Sequence, residues 1–229
     1  MRSRISDRGR PRQILEPKTH EQGTRRRLFE AAGRVFAEKG YDRATGKEIC
    51  SRAGANTAAV NYHFGGMEAL YAEVVAEAYR RLIRLDALSA AVAGQTHPAA
   101  KLRAGIELIA RTLTGQGSGS WELRVIGREI VSPSPVADSV RDREIFPKTR
   151  ILASIVSELM GLPQDHPAVA RGCMSVAGPI FMLLVMDRSS MRRLFPKLGF
   201  GRDELDRLVD HLVRFALAGL ESVAATANE

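Results

Sequence analysis

A chain of 229 residues, 45% hydrophobic and 26% charged, has the balance of a soluble globular protein and the length for one large domain or two small ones. Its two cysteines, Cys50 and Cys173, lie far apart and suggest no disulfide framework, and the N-terminal stretch MRSRISDRGRPRQILEPK lacks the apolar region of a secretory signal, so a cytoplasmic location is expected. The net charge of +8 is uneven: residues 1–60 hold 14 Lys/Arg against 7 Asp/Glu, which points to an N-terminal segment that meets a polyanion.

Residues 1–20 mix Arg, Pro, Gly and Ser without periodicity and read as a flexible basic arm. From Thr24 the pattern is helical, with Leu28, Ala32, Val35 and Phe36 on one face and Gly40 as a stop. Thr45 followed by Glu48 is a capping-box signature opening a short second helix, which Gly54 ends. Asn56 is a good N-cap for a third helix that closes at Gly65-Gly66. Two short helices joined by a tight glycine-containing turn, the second carrying exposed polar groups, make a helix-turn-helix over Thr45–Phe64.

A longer amphipathic helix is expected from Glu68 to Ala90, with Leu70, Val74, Ala78 and Leu82 on one face. Further helical segments cover 100–114, 119–132, 136–160, 165–187 and 202–226, punctuated by turns at GQGSGS and SPSP. The run CMSVAGPIFMLLVM (173–186) is shorter than the roughly 18 residues of a membrane span and contains Pro179, so it reads as a buried helix and no membrane is expected as a partner. The last segment carries a wide apolar stripe, enough for both a core and a partner helix. The expectation is an all-α protein: an arm at 1–20, a three-helix DNA-binding domain at 21–66, and a larger helical regulatory and dimerisation domain at 67–229.

The stretch TGKEICSRAGANTAAVNYHFGGMEALYAEVV resembles the TetR family of one-component transcriptional regulators. The pieces are Gly40-Tyr41, Thr45 with Ile49, Ala53-Gly54, Tyr62-His63-Phe64 and Glu68-Ala69-Leu70, in one register over residues 24–72. ANTAAVNYHFGG, SPSPVADSVRDREIFPKTRIL and MRRLFP…HLVRFALAGL further resemble the CecR-like subgroup. Two features depart from the family pattern: Met67 stands where a phosphate-binding Lys or Arg is usual, and Gly46 is unusual so near a helix start.

The resemblance implies that the third helix lies in the major groove. Thr57, Ala58 and Asn61 share its outer face, and Asn61 has the amide that bonds an adenine edge in bidentate fashion. Tyr62 and His63 are expected on phosphates, with Lys47, Thr45 and Asn56 completing the DNA-facing set. Arg25, Arg26 and Arg27 are placed near DNA or at a solvated helix start.

The resemblance also implies a homodimer on a palindromic operator, built from the last two long helices. The expected interface residues are Phe181, Leu205, Leu208, Leu212, Phe215 and Leu220. A small-molecule effector is expected in the C-terminal domain, with Trp121, Arg124, Arg128, Met174 and Phe181 as candidate lining. Trp121 as core, with its arginines reaching solvent, is an equally open reading.

An enzyme is not expected. The five histidines are dispersed without metal-type spacing, the glycines at 115, 117 and 119 follow no strand, and no cofactor or metal set is visible. A non-specific DNA-binding protein stays as the alternative to a ligand-responsive repressor.

Overall fold

The computed structural model describes residues 17–115, 120–186, 188–199 and 201–227, among which there is no strand. The N-terminal bundle is made by α1 (Pro17–Lys39), α2 (Gly46–Ala53), α3 (Ala59–Phe64) and the start of α4 (Met67–Leu82). Then come α5 (Leu85–Ala93), α6 (Pro98–Gly115), α7 (Trp121–Val131) and α8 (Ala137–Val140). A five-residue π turn at Arg141–Ile145 leads into α9 (Phe146–Met160), followed by α10 (Pro167–Val185), α11 (Arg188–Leu194) and α12 (Arg202–Ala227).

Residues 1–16 of the expected arm lie outside the described residues, and from Pro17 the chain is helical. Apolar periodicity misses this first stretch because α1 starts burying side chains only at Leu28. The 68–90 segment is not one helix. Ile83 adopts an extended conformation (φ −151°, ψ 116°), turns inward and is buried, and α5 restarts behind it. Asp86 secures the restart by accepting from the Arg84 guanidinium (2.5 and 3.0 Å) and from the Ala87 amide at 2.9 Å. The two apolar helices therefore point at different neighbours, which a continuous helix would not allow.

Two cores result. The first holds Leu28, Val35, Phe36, Ile49, Val60 and Phe64 and continues without a break into Leu70, Tyr71 and Val74 of α4 and Trp121, Val125 and Ile126 of α7. The second is built from α6, α9, α10 and α12, around Leu102, Ile155, Val156, Val176, Leu205, Val209 and Leu220. Helix α10 runs unbroken through Pro179 but is not the buried helix expected of it. By length and composition it could cross a membrane, and only 22% of its apolar window is buried within the chain. Ala168, Val169, Gly172 and Val176 face the second core, while Met174, Phe181, Met182 and Val185 are exposed.

Candidate nucleic-acid interface

The helix-turn-helix is held by its own caps. Thr45 Oγ1 accepts from the Glu48 amide at 3.3 Å and starts α2. Gly54, at φ 61°, ends it with its amide on the Cys50 and Ser51 carbonyls, a backbone conformation that glycine adopts without cost. Asn56 Oδ1 accepts from the Ala58 amide at 2.9 Å, while the Asn56 carbonyl accepts from Ala59. Asn56 thus caps a turn that precedes α3, and Thr57 and Ala58 sit in that turn rather than on the helix. Cys50 is buried and its thiol points at the Thr57 carbonyl at 3.7 Å, which ties the turn to α2.

Along α3, Val60 and Phe64 are buried, so the opposite side faces outward. Thr57, Ala58, Asn61 and Tyr62 are all exposed, as are Thr45 and Lys47 at the start of α2. Tyr62 is 74% exposed, with its ring edge-on to His63 at 4.9 Å. The expected DNA-facing residues are thus accessible at the start of α2 and along the turn and outer side of α3, with His63 half-buried among them. Glu21 is the addition that the sequence did not suggest. It reaches from α1 to accept the Tyr62 hydroxyl at 2.8 Å and holds the phenol above its usual pKa.

The three arginines divide. Arg25 pairs with Glu73 at 2.5 Å and lies over the Phe64 ring at 4.6 Å, while Arg27 donates to the Ala53 carbonyl at 3.2 Å. Both brace the fold of the N-terminal bundle. Arg26 is exposed. Met67 is partly buried against the first core, and its sulfur would touch a Cβ at Gly46 at 3.6 Å, so the two departures from the family pattern are neighbours.

The candidate effector residues are not gathered in one pocket. Trp121 packs on α1, where a Cβ at Gly33 would lie 2.6–2.7 Å from its ring, and its Nε1 donates to Glu30 at 3.2 Å. Arg81 lies over the same ring at 5.4 Å. Trp121 is thus a joint between α1 and α7. Met174, 75% exposed, and Phe181 are on the outer face of α10, away from the interior. Arg124 and Arg128 do line a cavity, of about 640 Å³, at the junction of α1 with α7.

A second, apolar chamber of about 150 Å³ lies among Leu88, Leu102, Ile106, Leu152, Ile155 and Ile180. Lys148 lies on its wall and donates to the Tyr79 carbonyl at 3.1 Å. Burial holds its ammonium below the usual pKa. A lone lysine within the apolar stripe of α9 was the only trace of this in the sequence.

The expected interface residues also separate. Phe215, 71% exposed, and Phe181 face outward, and Leu208 and Leu212 are half-buried. Leu205 and Leu220 are instead core residues of the chain itself; a Cβ at Gly172 would meet Leu220 at 2.7 Å, so Leu220 fills the notch left by that glycine. Among the described residues, no group of three or more His, Cys, Asp or Glu side chains is placed to hold a metal ion.

Residues 28–74 match the family model for bacterial regulatory proteins of the tetR family, and residues 98–220 match that for the C-terminal domain of the HTH-type transcriptional dual regulator CecR. No curated protein matches the chain. A putative transcriptional regulator from Pseudomonas aeruginosa PAO1 superposes with a TM-score of 0.64 at 19% identity, over 91% of this chain and 95% of that one. The transcriptional regulator FadR from Bacillus subtilis, solved with stearoyl-CoA, gives 0.63 at 16% over 85% and 98%. The fatty acid degradation regulator FadR from Bacillus halodurans gives 0.62 at 16% over 86% and 95%. At these identities the likeness is one of fold.

Proposed function

Because the chain belongs to the TetR family of bacterial transcriptional regulators, with a C-terminal domain of the CecR type, we propose that it is a ligand-responsive repressor that binds a palindromic operator as a homodimer. The observation that carries this reading is the division of the recognition segment: Val60 and Phe64 inward, Thr57, Ala58, Asn61 and Tyr62 outward. In the major groove, Asn61 reads an adenine edge, Ala58 and the Thr57 methyl pack on thymine, and Tyr62, His63, Lys47 and Thr45 meet phosphates. The Asn56 side-chain oxygen is occupied by its cap, so this residue positions the turn and offers only its amide nitrogen to DNA. A cytoplasmic location follows from this role, and we assign no catalytic one.

The outward apolar faces of α10 and α12, with Phe181, Met182 and Phe215 exposed, supply the surface for a second copy. Lipid is a poorer partner for them, since the other side of α10 is packed against the protein core. Two copies related by a twofold axis would present their α3 helices to half-sites about one DNA turn apart, or a multiple of it.

The apolar chamber is the effector site in this reading, and a lipid-like or acyl ligand suits its walls. The stearoyl-CoA complex of the Bacillus subtilis FadR is in keeping with that class. Ile83, directly after α4, lines the chamber, and Lys148 grips the last turn of α4 through the Tyr79 carbonyl. A ligand that widens the chamber therefore moves the far end of the helix that begins beside the recognition helix, altering the spacing of the two reading heads.

Selection from a random duplex pool tests the DNA reading. A palindrome preferred by about 10³-fold or more over random sequence is expected. Asn61→Ala should relax base choice at one position of each half-site, at a cost of about 1–3 kcal/mol on the selected site. Tyr62→Phe should weaken selected and random duplexes alike. No enriched palindrome, with affinity set by salt alone, would mark a non-specific DNA-binding protein instead.

A further inference from the structure

The junction cavity is distinct from the apolar chamber and takes no part in the reading above. Its volume, about 640 Å³, is that of a small-molecule site. One wall is apolar, with Leu113, Leu123 and Leu184, and the other is polar and rich in cations. On that polar wall Arg128 is committed, donating to the Ala37 and Glu38 carbonyls at 3.0 and 2.9 Å, and Lys39 is paired with Glu48 at 2.6 Å. Arg43 donates to the Lys39 carbonyl at 3.3 Å. The acidic groups of the wall are Asp42, which is exposed, and Glu129, whose oxygens accept from the Tyr71 hydroxyl at 2.6 Å and the Ser134 amide at 3.4 Å.

Among the cations of the wall Arg124, which also feels the charge of Glu38, is available to act on a ligand. Arg124 is exposed on the cavity wall. The Ser134 hydroxyl is buried and has no hydrogen-bond partner among the described residues. That oxygen has essentially no accessible surface, so a ligand in the cavity does not reach it. We propose that this cavity binds an amphipathic organic anion, with its acidic group on Arg124 and its apolar body against Leu113, Leu123 and Leu184. Such a ligand touches the end of α1 and α7 together, beside the strut that Arg128 makes between them, and gives the protein a second small-molecule input at the joint of its two halves.

The test is a titration of the full chain with 8-anilinonaphthalene-1-sulfonate, an aromatic anion that fluoresces when bound. It needs no operator, so its failure leaves the regulator reading where it stands. Saturable binding is expected, weakened about tenfold or more by Arg124→Glu. Ile106→Trp, which fills the apolar chamber, should leave the affinity unchanged; Ile109→Phe serves the same end should the tryptophan variant not fold. Absence of saturable binding, indifference to Arg124→Glu, or loss of binding on filling the chamber overturns the proposal.

Discussion

Gly33 sits where α1 packs on α7. Three ring atoms of Trp121 lie 2.6–2.7 Å from the point where a Cβ would be placed. Alanine would gain about 1 kcal/mol of helix propensity at this mid-helix position, whereas overpacking a core typically costs about 1–3 kcal/mol. The clash should win, because the neighbour is a rigid ring held by Phe29 edge-on at 6.0 Å and by the hydrogen bond to Glu30. Gly33→Ala is thus expected to destabilise by about 1–2 kcal/mol and to lower Tm by roughly 2–8 °C in calorimetry. An unchanged or raised Tm would mean that the ring yields freely and that this joint is not tightly packed. Tyr62 teaches the complementary lesson at this scale. Its exposure was foreseeable from its place on α3, but its bond to Glu21 was not, since 41 positions separate the two residues.

Helices α1 and α2 are clamped by four charges. Glu48 accepts from Lys39 at 2.6 Å and Arg52 at 2.8 Å, and Arg52 also takes both oxygens of Glu38 at 2.9 and 2.8 Å. The Lys39 hydrogen bond, opposed by some desolvation and aided by Arg52, holds Glu48 below its ordinary value of 4.5. A carboxylate whose pKa is depressed on folding contributes stability above its unfolded value and loses it as pH falls through the folded one. The difference in Tm between the wild type and Glu48→Gln is therefore expected at its full size from neutral pH down to about 4.5, closing below that as Glu48 takes up a proton. A difference that persists unchanged to strongly acid pH would assign the effect to shape rather than charge. Element boundaries follow a similar logic. The caps at Thr45 and Gly54 were readable because each acts on atoms within a few residues of itself, while Asn56, expected to cap α3, caps the turn before it. The break of α4 at Ile83 was not, because the side chain turns to meet a chamber built from α6, α9 and α10.

For the whole molecule the proposed homodimer turns on which side of α12 the protein itself covers. Leu205, Val209, Val213 and Leu220 are buried in the second core, and Phe215 lies on the other side with 71% of its surface exposed. Phe215→Glu is expected to convert the dimer to a monomer in sedimentation at micromolar concentration, with helicity retained and operator affinity lost. Leu205→Ala should instead lower protomer stability by about 2–5 kcal/mol. A Phe215→Glu protein that sediments as a dimer would move the interface away from this face.

The sequence by itself determined the helical class, the turn geometry of the reading head and the outward set Thr57, Ala58, Asn61 and Tyr62. For Asn61 and Tyr62 this rests on periodicity within a helix, an interaction over three or four residues, whereas Thr57 and Ala58, read as helical, face outward from the turn before α3. Only the tertiary structure decided that Trp121 is a joint against Gly33, that Leu220 fills the notch at Gly172, and that Lys148 and Ser134 line separate cavities. Periodicity shows that a helix has an apolar stripe. Which of its residues is core, interface or cavity wall depends on atoms supplied by helices distant in sequence, and so is settled only when the helices pack.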